Sequence, residues 1–181
     1  MGVSLAKGQR ISLDKEAGTA LRRAVMGLGW DTGDEDIDLD ASCLLFDGSK
    51  GLVDTVWFKQ LRSKDGSIQH SGDNRTGAGE GDDEQINVDL TAVPPVVMSL
   101  VFVVNSFTGQ NFSLVRNAFC RIVDGNGKEL ARYDLATSGA HTGQVMARLY
   151  RHGSEWKMHA IGEPATGRTF HDMMGSITPL L

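Results

Sequence analysis

Two short acidic segments carry the side chains whose types and spacing could do chemistry. Residues 31–40 read DTGDEDIDLD and residues 72–84 read GDNRTGAGEGDDE, with six and five carboxylates and a single cation, Arg75. So much like charge destabilises a compact domain unless a positive group lies among it. Oxygen ligands and glycines at short spacing are typical of calcium sites, where the ion takes about 6 to 8 oxygens. The two segments therefore predict that the chain binds about two calcium ions.

The first segment places three aspartates on one side of an extended chain. Asp36, Asp38 and Asp40 alternate with apolar residues, so a strand would direct all three carboxylates to one face. Their mutual repulsion requires a cation or strong hydrogen-bond donors. The apolar run ASCLLF that follows predicts a core strand that anchors this charged end, and Asp31 lies one loop away, where it could close the site.

The second segment combines oxygen ligands with chain reversals. Its glycines let the backbone turn back and direct carbonyl oxygens at a cation. Side-chain oxygens come from Asp73, Asn74, Thr76, Asp82, Asp83 and Glu84. Neither segment fits the helix-loop-helix calcium pattern, because D-x-[DN]-x-[DN]-G is absent and the flanks predict strands. Magnesium, which demands a tight octahedron, and zinc, for which no close histidine pair exists, fit less well.

The rest of the composition is that of one soluble domain, 1–181. Its 181 residues are 40% hydrophobic and 23% charged, and the formal net charge of −5 argues against a nucleic-acid-binding protein. A signal-peptide core is absent, and the longest apolar run, 93–104, is shorter than the roughly 20 residues of a membrane helix, so we expect a cytoplasmic protein. Cys43 and Cys120 lie in apolar stretches without ligand spacing, which predicts buried, inert thiols.

Recurring turns indicate how the segments are positioned. Turn signals at 47–51, 64–67, 124–128 and 152–155 separate short runs rich in β-branched and aromatic residues. This pattern is typical of antiparallel hairpins and predicts an all-β dominated fold, a β-sandwich with a few short helices.

Helices are expected at three places. One turn is predicted over 112–117, and a longer helix over 142–149, where Val145, Met146 and Leu149 have helical spacing. The tail, 162–181, reads as a loop and then a short amphipathic helix. We expect this tail to pack on its own sandwich; the alternative is a partner-binding tail with Met173, Met174, Leu180 and Leu181 exposed.

Six longer stretches form a recognisable signature. They are GLGWD at 27–31, DIDLDAS at 36–42, HSGDNRTGAGEGDDEQINVDL at 70–90, GQNFSLVRNAFCRIVD at 109–124, ELARYDL at 129–135 and LYRHGSEWKMHAIGE at 149–163. Together they closely resemble the TerD family of bacterial tellurium-resistance and stress-response proteins. The tail GEPATGRTFHDMMGSITPLL departs from the glycine-rich tail usual in the family and resembles the TerZ-type branch.

The resemblance carries its own expectations. It implies a sandwich of two antiparallel sheets, a cytoplasmic location, two neighbouring calcium ions and no catalytic activity. It also implies a role in tellurite and stress resistance alongside other products of the same resistance cluster, some of them membrane-bound. The metal ligands that it implies are Asp31, Asp36, Asp38, Asp40, Asp73, Asn74, Asp82, Asp83 and Glu84, with carbonyls near Gly77 and Gly79.

Three functions follow as hypotheses. The first is a calcium-binding sensor or scaffold for partner proteins. The second is a metal-dependent phosphoester hydrolase that uses the same acidic cluster, with Arg75 on the phosphate. The third is sequestration of tellurite by Cys43 and Cys120. Direct membrane docking is not expected, because the acidic loops offer mainly Gly, Thr and Ala at their tips and Trp30 is expected to be buried beneath the site.

Overall fold

The chain folds into two facing sheets in the computed structural model, which describes residues 2–31, 37–72, 81–135 and 139–181. The first sheet contains, in spatial order, β1 (Val3–Ser4), β10 (Glu129–Asp134), β9 (Arg116–Asp124), β3 (Arg23–Asp31), β7 (Glu84–Asp89) and β6 (Ile68–His70). The second contains β2 (Arg10–Ser12), β12 (Glu155–Ala165), β11 (Gly143–His152), β8 (Val97–Ser106), β4 (Leu39–Asp47) and β5 (Leu52–Val56). All pairs are antiparallel except β1 with β10, so the predicted β-sandwich is confirmed.

The main core lies between the two sheets and contains both cysteines. Cys43 of β4 and Cys120 of β9 are fully buried and unpaired with each other, as predicted. Burial raises the pKa of both thiols, that of Cys120 to about 12. Because the thiolate is the reactive form, neither thiol is activated for attack or for capture of an oxyanion at neutral pH.

A second apolar layer covers the outer face of the second sheet. The helix α2 (Phe170–Ile177) buries Phe170, Met173 and Ile177 against that face. The tail therefore packs on its own sandwich, and the alternative of an exposed Met173 is wrong because this side chain is fully buried. Neither α2 nor the short α1 (Leu13–Ala17), the α-helices in the described ranges, is long and apolar enough to cross a membrane.

Replacing Asp172 with alanine should loosen the start of α2. The Asp172 carboxylate accepts hydrogen bonds from the backbone N–H groups of Arg168 (3.0 Å) and Thr169 (3.4 Å). Loss of such a cap costs about 1 kcal/mol, or about 2 to 4 °C in melting temperature for a chain of this size. Asp172→Asn keeps an acceptor oxygen and should lose less; equal losses in thermal melts of the two variants would contradict a hydrogen-bonding role.

The predicted helix over 142–149 is wrong. This segment forms β11, which pairs with β8 on one side and β12 on the other. A register shift between Val145 and Ala147 places Val145 in the outer apolar layer and both Met146 and Ala147 in the main core. The bulge breaks the two-residue period of the strand and so produces an apolar spacing that resembles a helix. At 112–117 the predicted single turn exists as a 3-10 turn, Phe112–Leu114, before β9 begins at Arg116.

Candidate metal centre

Both acidic segments end directly on buried strands at one end of the sandwich. The first continues into β4, whose residues from Leu39 to Phe46 are all buried, and the second continues into β7 at Glu84. The indole N–H of Trp30, at the end of β3, donates to the carbonyl oxygen of Ile37 (3.3 Å), and the Trp30 side chain is buried as predicted. Rigid strands therefore hold both ends of the candidate site.

Asp31 and Asp83 share one cavity at this end. The cavity has a volume of about 290 Å³ and is lined by Trp30, Asp31, Gly81, Asp83, Asn117, Phe119 and Arg132. Asp31 is exposed and accepts a hydrogen bond from the Asn117 amide (2.8 Å). Asp83 is half-buried and accepts a hydrogen bond from the Trp30 backbone N–H (2.9 Å). Two carboxylates and a side-chain amide thus meet at a space large enough for an ion.

Negative charge at this cavity is in excess. Burial, together with the neighbouring charges of Asp31 and Asp82, raises the pKa of the Asp83 carboxyl despite its hydrogen bond from Trp30. A raised pKa means that the folded chain disfavours the ionised form. A divalent cation coordinated here would reverse that preference, and carboxylate and amide oxygens are the donors that calcium takes. The donor chemistry of the described residues therefore fits a hard cation.

Asn117 is a candidate ligand that sequence analysis missed. It has a left-handed backbone (φ 50°), which asparagine tolerates better than most residues, and it lies beside Arg116, the register partner of Asp31. The polar residue at the start of an apolar run was the available signal. Only the β3–β9 pairing, which the sequence did not predict, brings Asn117 to Asp31.

Asp38 and Asp40 lie where the alternation predicted. Leu39 and Ala41 belong to the main core, so the two aspartates on either side of Leu39 face the other way. Asp38 is half-buried and its carbonyl oxygen accepts a hydrogen bond from the Phe107 backbone (3.1 Å), while Asp40 is buried beside Asn105, its β8 partner. The third member, Asp36, lies outside the described residues.

Asp82 is held away from the cavity by an arginine. Its two carboxylate oxygens accept from Nε (2.8 Å) and Nη2 (3.1 Å) of Arg121, and Gln85 adds a third hydrogen bond (3.1 Å). The side chain packs over Gly27, where a Cβ atom would lie 2.3 Å from an Asp82 oxygen. Hydrogen bonding to Asp82 raises the pKa of Arg121. In this structure the strongest charge partner of Asp82 is therefore Arg121.

Glu84 is buried between the sheets. One of its oxygens, Oε2, accepts from the Ala41 backbone N–H (2.8 Å) and lies 3.2 Å from Nε2 of His70. The three consecutive acids Asp82, Asp83 and Glu84 thus occupy three different environments, and Asp83 is the member that shares the cavity with Asp31.

The remaining predicted ligands fall outside the described residues: Asp36, Asp73, Asn74, Gly77 and Gly79. Across the described ranges, no three His, Cys, Asp or Glu side chains converge as a metal-binding group. A calcium shell of about 6 to 8 oxygens would need more oxygens than Asp31, Asp83 and Asn117 supply.

Comparison with known proteins places this architecture in a family. A structure of a homologue of the telluride resistance protein TerD from Streptomyces coelicolor A3(2) has the same fold, with a TM-score of 0.73 at 24% identity over 86% of this chain and 98% of that one. The family model described as the TerD domain matches residues 1–175. This chain belongs to the TerD family.

Curated relatives of this TerD-family chain are resistance and stress proteins by name. The tellurium resistance protein TerZ of Serratia marcescens is 49% identical over 97% of this chain and 96% of its own length. TerD of the same organism is 42% identical over 92% of this chain and 93% of its own length. General stress protein 16U of Bacillus subtilis is 44% identical over 92% of this chain and 93% of its own length. The resemblance seen in the sequence is therefore confirmed, and the chain belongs to a family of tellurium-resistance and general stress-response proteins.

Proposed function

We propose that this chain is a calcium-binding stress-response protein associated with tellurite resistance. It binds about two calcium ions through the acidic segments and acts as a sensor or scaffold for partner proteins. The observation that carries the proposal is the cavity shared by Asp31 and Asp83, where burial and neighbouring carboxylates raise the pKa of Asp83. Calcium would supply positive charge directly between the Asp31 and Asp83 carboxylates.

The side chains at the cavity would have different roles in calcium binding. Asp31 and Asp83 would supply carboxylate oxygens and Asn117 an amide oxygen, and the Trp30 N–H would fix the orientation of Asp83. Because Asp31 ends β3 and Asp83 precedes β7, an ion between them would link the ends of two neighbouring strands. The charge of the ligand set suggests a dissociation constant on the order of 10⁻⁷ to 10⁻⁵ M.

Calorimetric titration of chelator-stripped protein tests the proposal. We expect about two calcium ions at micromolar affinity or tighter, and much weaker binding of magnesium, which prefers a smaller and more regular shell. Asp31→Asn should weaken calcium binding. Glu163→Gln removes one carboxylate of β12 that does not line the cavity, and it should leave binding unchanged. A folded sample that binds no calcium would contradict the proposal.

Partner proteins are part of the proposal. We propose proteins of the same resistance and stress systems as partners, in the cytoplasm, and neither nucleic acid nor direct docking to a membrane. The buried position of Trp30 supports this, because this candidate aromatic anchor, next to the first acidic segment, is not offered to a bilayer. No catalytic reaction is proposed: the relatives carry names of resistance and stress proteins, and Arg75, the candidate phosphate ligand, lies outside the described residues.

A further inference from the structure

Strand β4 loses its neighbour just where the first acidic segment ends. The β4–β5 ladder runs as far as Cys43 opposite Val56, and the chain then turns away through a tight turn in which Trp57 and Gln60 exchange backbone hydrogen bonds. In an antiparallel ladder the N–H and C=O of every second residue point to the same side. Ala41, two residues before Cys43, therefore directs both backbone groups at the edge that β5 has left.

Two side chains from the opposite sheet take the place of the missing strand. The Ala41 N–H donates to Oε2 of Glu84 (2.8 Å), and the Ala41 carbonyl oxygen lies 3.2 Å from Nε2 of His70. Both side chains are buried, with 1% of His70 and 0% of Glu84 exposed. A buried backbone group without a hydrogen-bond partner destabilises the fold, so these contacts are needed at this edge.

The protonation of His70 follows from its second contact. The Gly72 backbone N–H approaches Nδ1 of His70 at 2.9 Å. A backbone N–H can only donate, so Nδ1 accepts and the ring proton lies on Nε2. From there it can be donated to the Ala41 carbonyl and to Glu84, whose Oε2 lies 3.2 Å away. Imidazole, carboxylate and backbone form one directional network.

The network lies where both acidic segments join their strands. His70 ends β6 directly before the second segment, and its partner Gly72 is the first residue of that segment. Glu84 is the last residue of the same segment, and Ala41 directly follows the first. These four residues therefore fix both ends of one segment to the end of the other.

We propose that His70 and Glu84 are positioning residues that hold the two acidic segments in register for metal binding. Glu84 then acts through the Ala41 N–H and His70 rather than as a calcium ligand. The inference rests on the proposed calcium binding and deepens it. Groups that orient metal ligands from the next layer out lower metal affinity by about 10- to 100-fold when they are removed.

Conservative and disruptive replacements at Glu84 separate the two roles. The amide oxygen of Glu84→Gln can accept from both Ala41 and His70, so calcium affinity should stay within about threefold of wild type. Glu84→Ala removes the acceptor, and affinity should fall about 10- to 100-fold. If Glu84→Gln loses as much affinity as Asp83→Asn, Glu84 is a ligand and the inference is overturned.

His70→Ala should weaken calcium binding about 10- to 100-fold although His70 is not itself a predicted ligand. The matched control is Ile68→Ala, which opens a core cavity in the same strand, β6, and should lower the melting temperature equally in calcium and in chelator. A purely structural His70 would behave like Ile68. If His70→Ala does not fold, His70→Gln and Glu84→Gln provide the comparison, and ¹⁵N spectra of the wild-type imidazole should show Nδ1 as the unprotonated nitrogen.

Titration of wild-type protein in parallel distinguishes a failure of the proposed function from a failure of the positioning role. If wild type binds no calcium, the proposed function is overturned and the positioning role with it. If wild type binds calcium and His70→Ala binds it equally well, only the positioning role is overturned. An Nδ1-protonated His70 in the wild-type spectra would contradict the network itself.

Discussion

Asp83→Asn is expected to lower the melting temperature in calcium and to leave it unchanged or raise it in chelator. In calcium the variant lacks a charged ligand. An ion present at a hundred times its dissociation constant stabilises the fold by about 2.7 kcal/mol, or about 5 to 10 °C in melting temperature for a chain of this size. The variant should lose most of the stabilisation that an ion bound at Asp83 provides.

The opposite behaviour in chelator follows from the raised pKa of Asp83. A raised pKa in the folded state means that the folded chain binds this proton more tightly than the unfolded chain does. The ionised carboxyl therefore costs stability above that pKa, and the cost disappears as the pH falls through it. Asparagine is neutral at every pH and its amide oxygen still accepts the Trp30 N–H, so it avoids the cost.

Thermal melts at neutral and acidic pH, with calcium and with chelator, check this prediction. In chelator the difference between Asp83→Asn and wild type should shrink as the pH is lowered through the Asp83 pKa. Glu163→Gln serves as the charge-matched control, and its difference in melting temperature from wild type should be the same with calcium and with chelator. An equal loss of melting temperature with calcium and with chelator would mean that Asp83 has a structural role only.

The sequence was sufficient for features that depend on local alternation. The aspartates on either side of Leu39, the buried cysteines and the helix at the tail each follow from a pattern within a few residues, and each lies where it was predicted. Turn spacing likewise identified the sandwich. The helix prediction for the β11 segment failed because a bulge breaks the two-residue period of the strand at this point. No nearby residue indicates that bulge.

The candidate site depended instead on which strands become neighbours. Asp82 and Arg121 are 39 residues apart and meet because β7 and β9 flank β3. Asn117 reaches Asp31 for the same reason, and His70 reaches Ala41 only because β6 and β4 lie in facing sheets. Strand order is set by the packing of the whole chain, so composition and spacing identified the acidic segments but not the partner of each carboxylate.

Arg121→Met is expected to lower the free energy of unfolding by about 2 to 3 kcal/mol. The variant keeps an apolar stem but leaves the Asp82 carboxylate without its cation, and the Asp82 side chain is only 2% exposed. Because 29% of the Arg121 side chain is exposed, water offsets part of the loss, so the expected value is below the roughly 3 to 5 kcal/mol of a fully buried pair. Denaturant titrations in chelator measure the effect without interference from calcium.

The double variant decides whether charge or packing causes the loss. Asp82→Asn with Arg121→Met removes both charges, so the double variant should be more stable than Arg121→Met alone, with a coupling energy of about 1 kcal/mol or more. Purely additive losses would mean that the arginine acts through its stem or through its ion pair with Glu129 (3.2 Å) rather than through Asp82. Strong coupling would instead show that Arg121 neutralises Asp82 at the border of the site, so that the proposed cation would act on Asp31 and Asp83, the carboxylates that line the cavity.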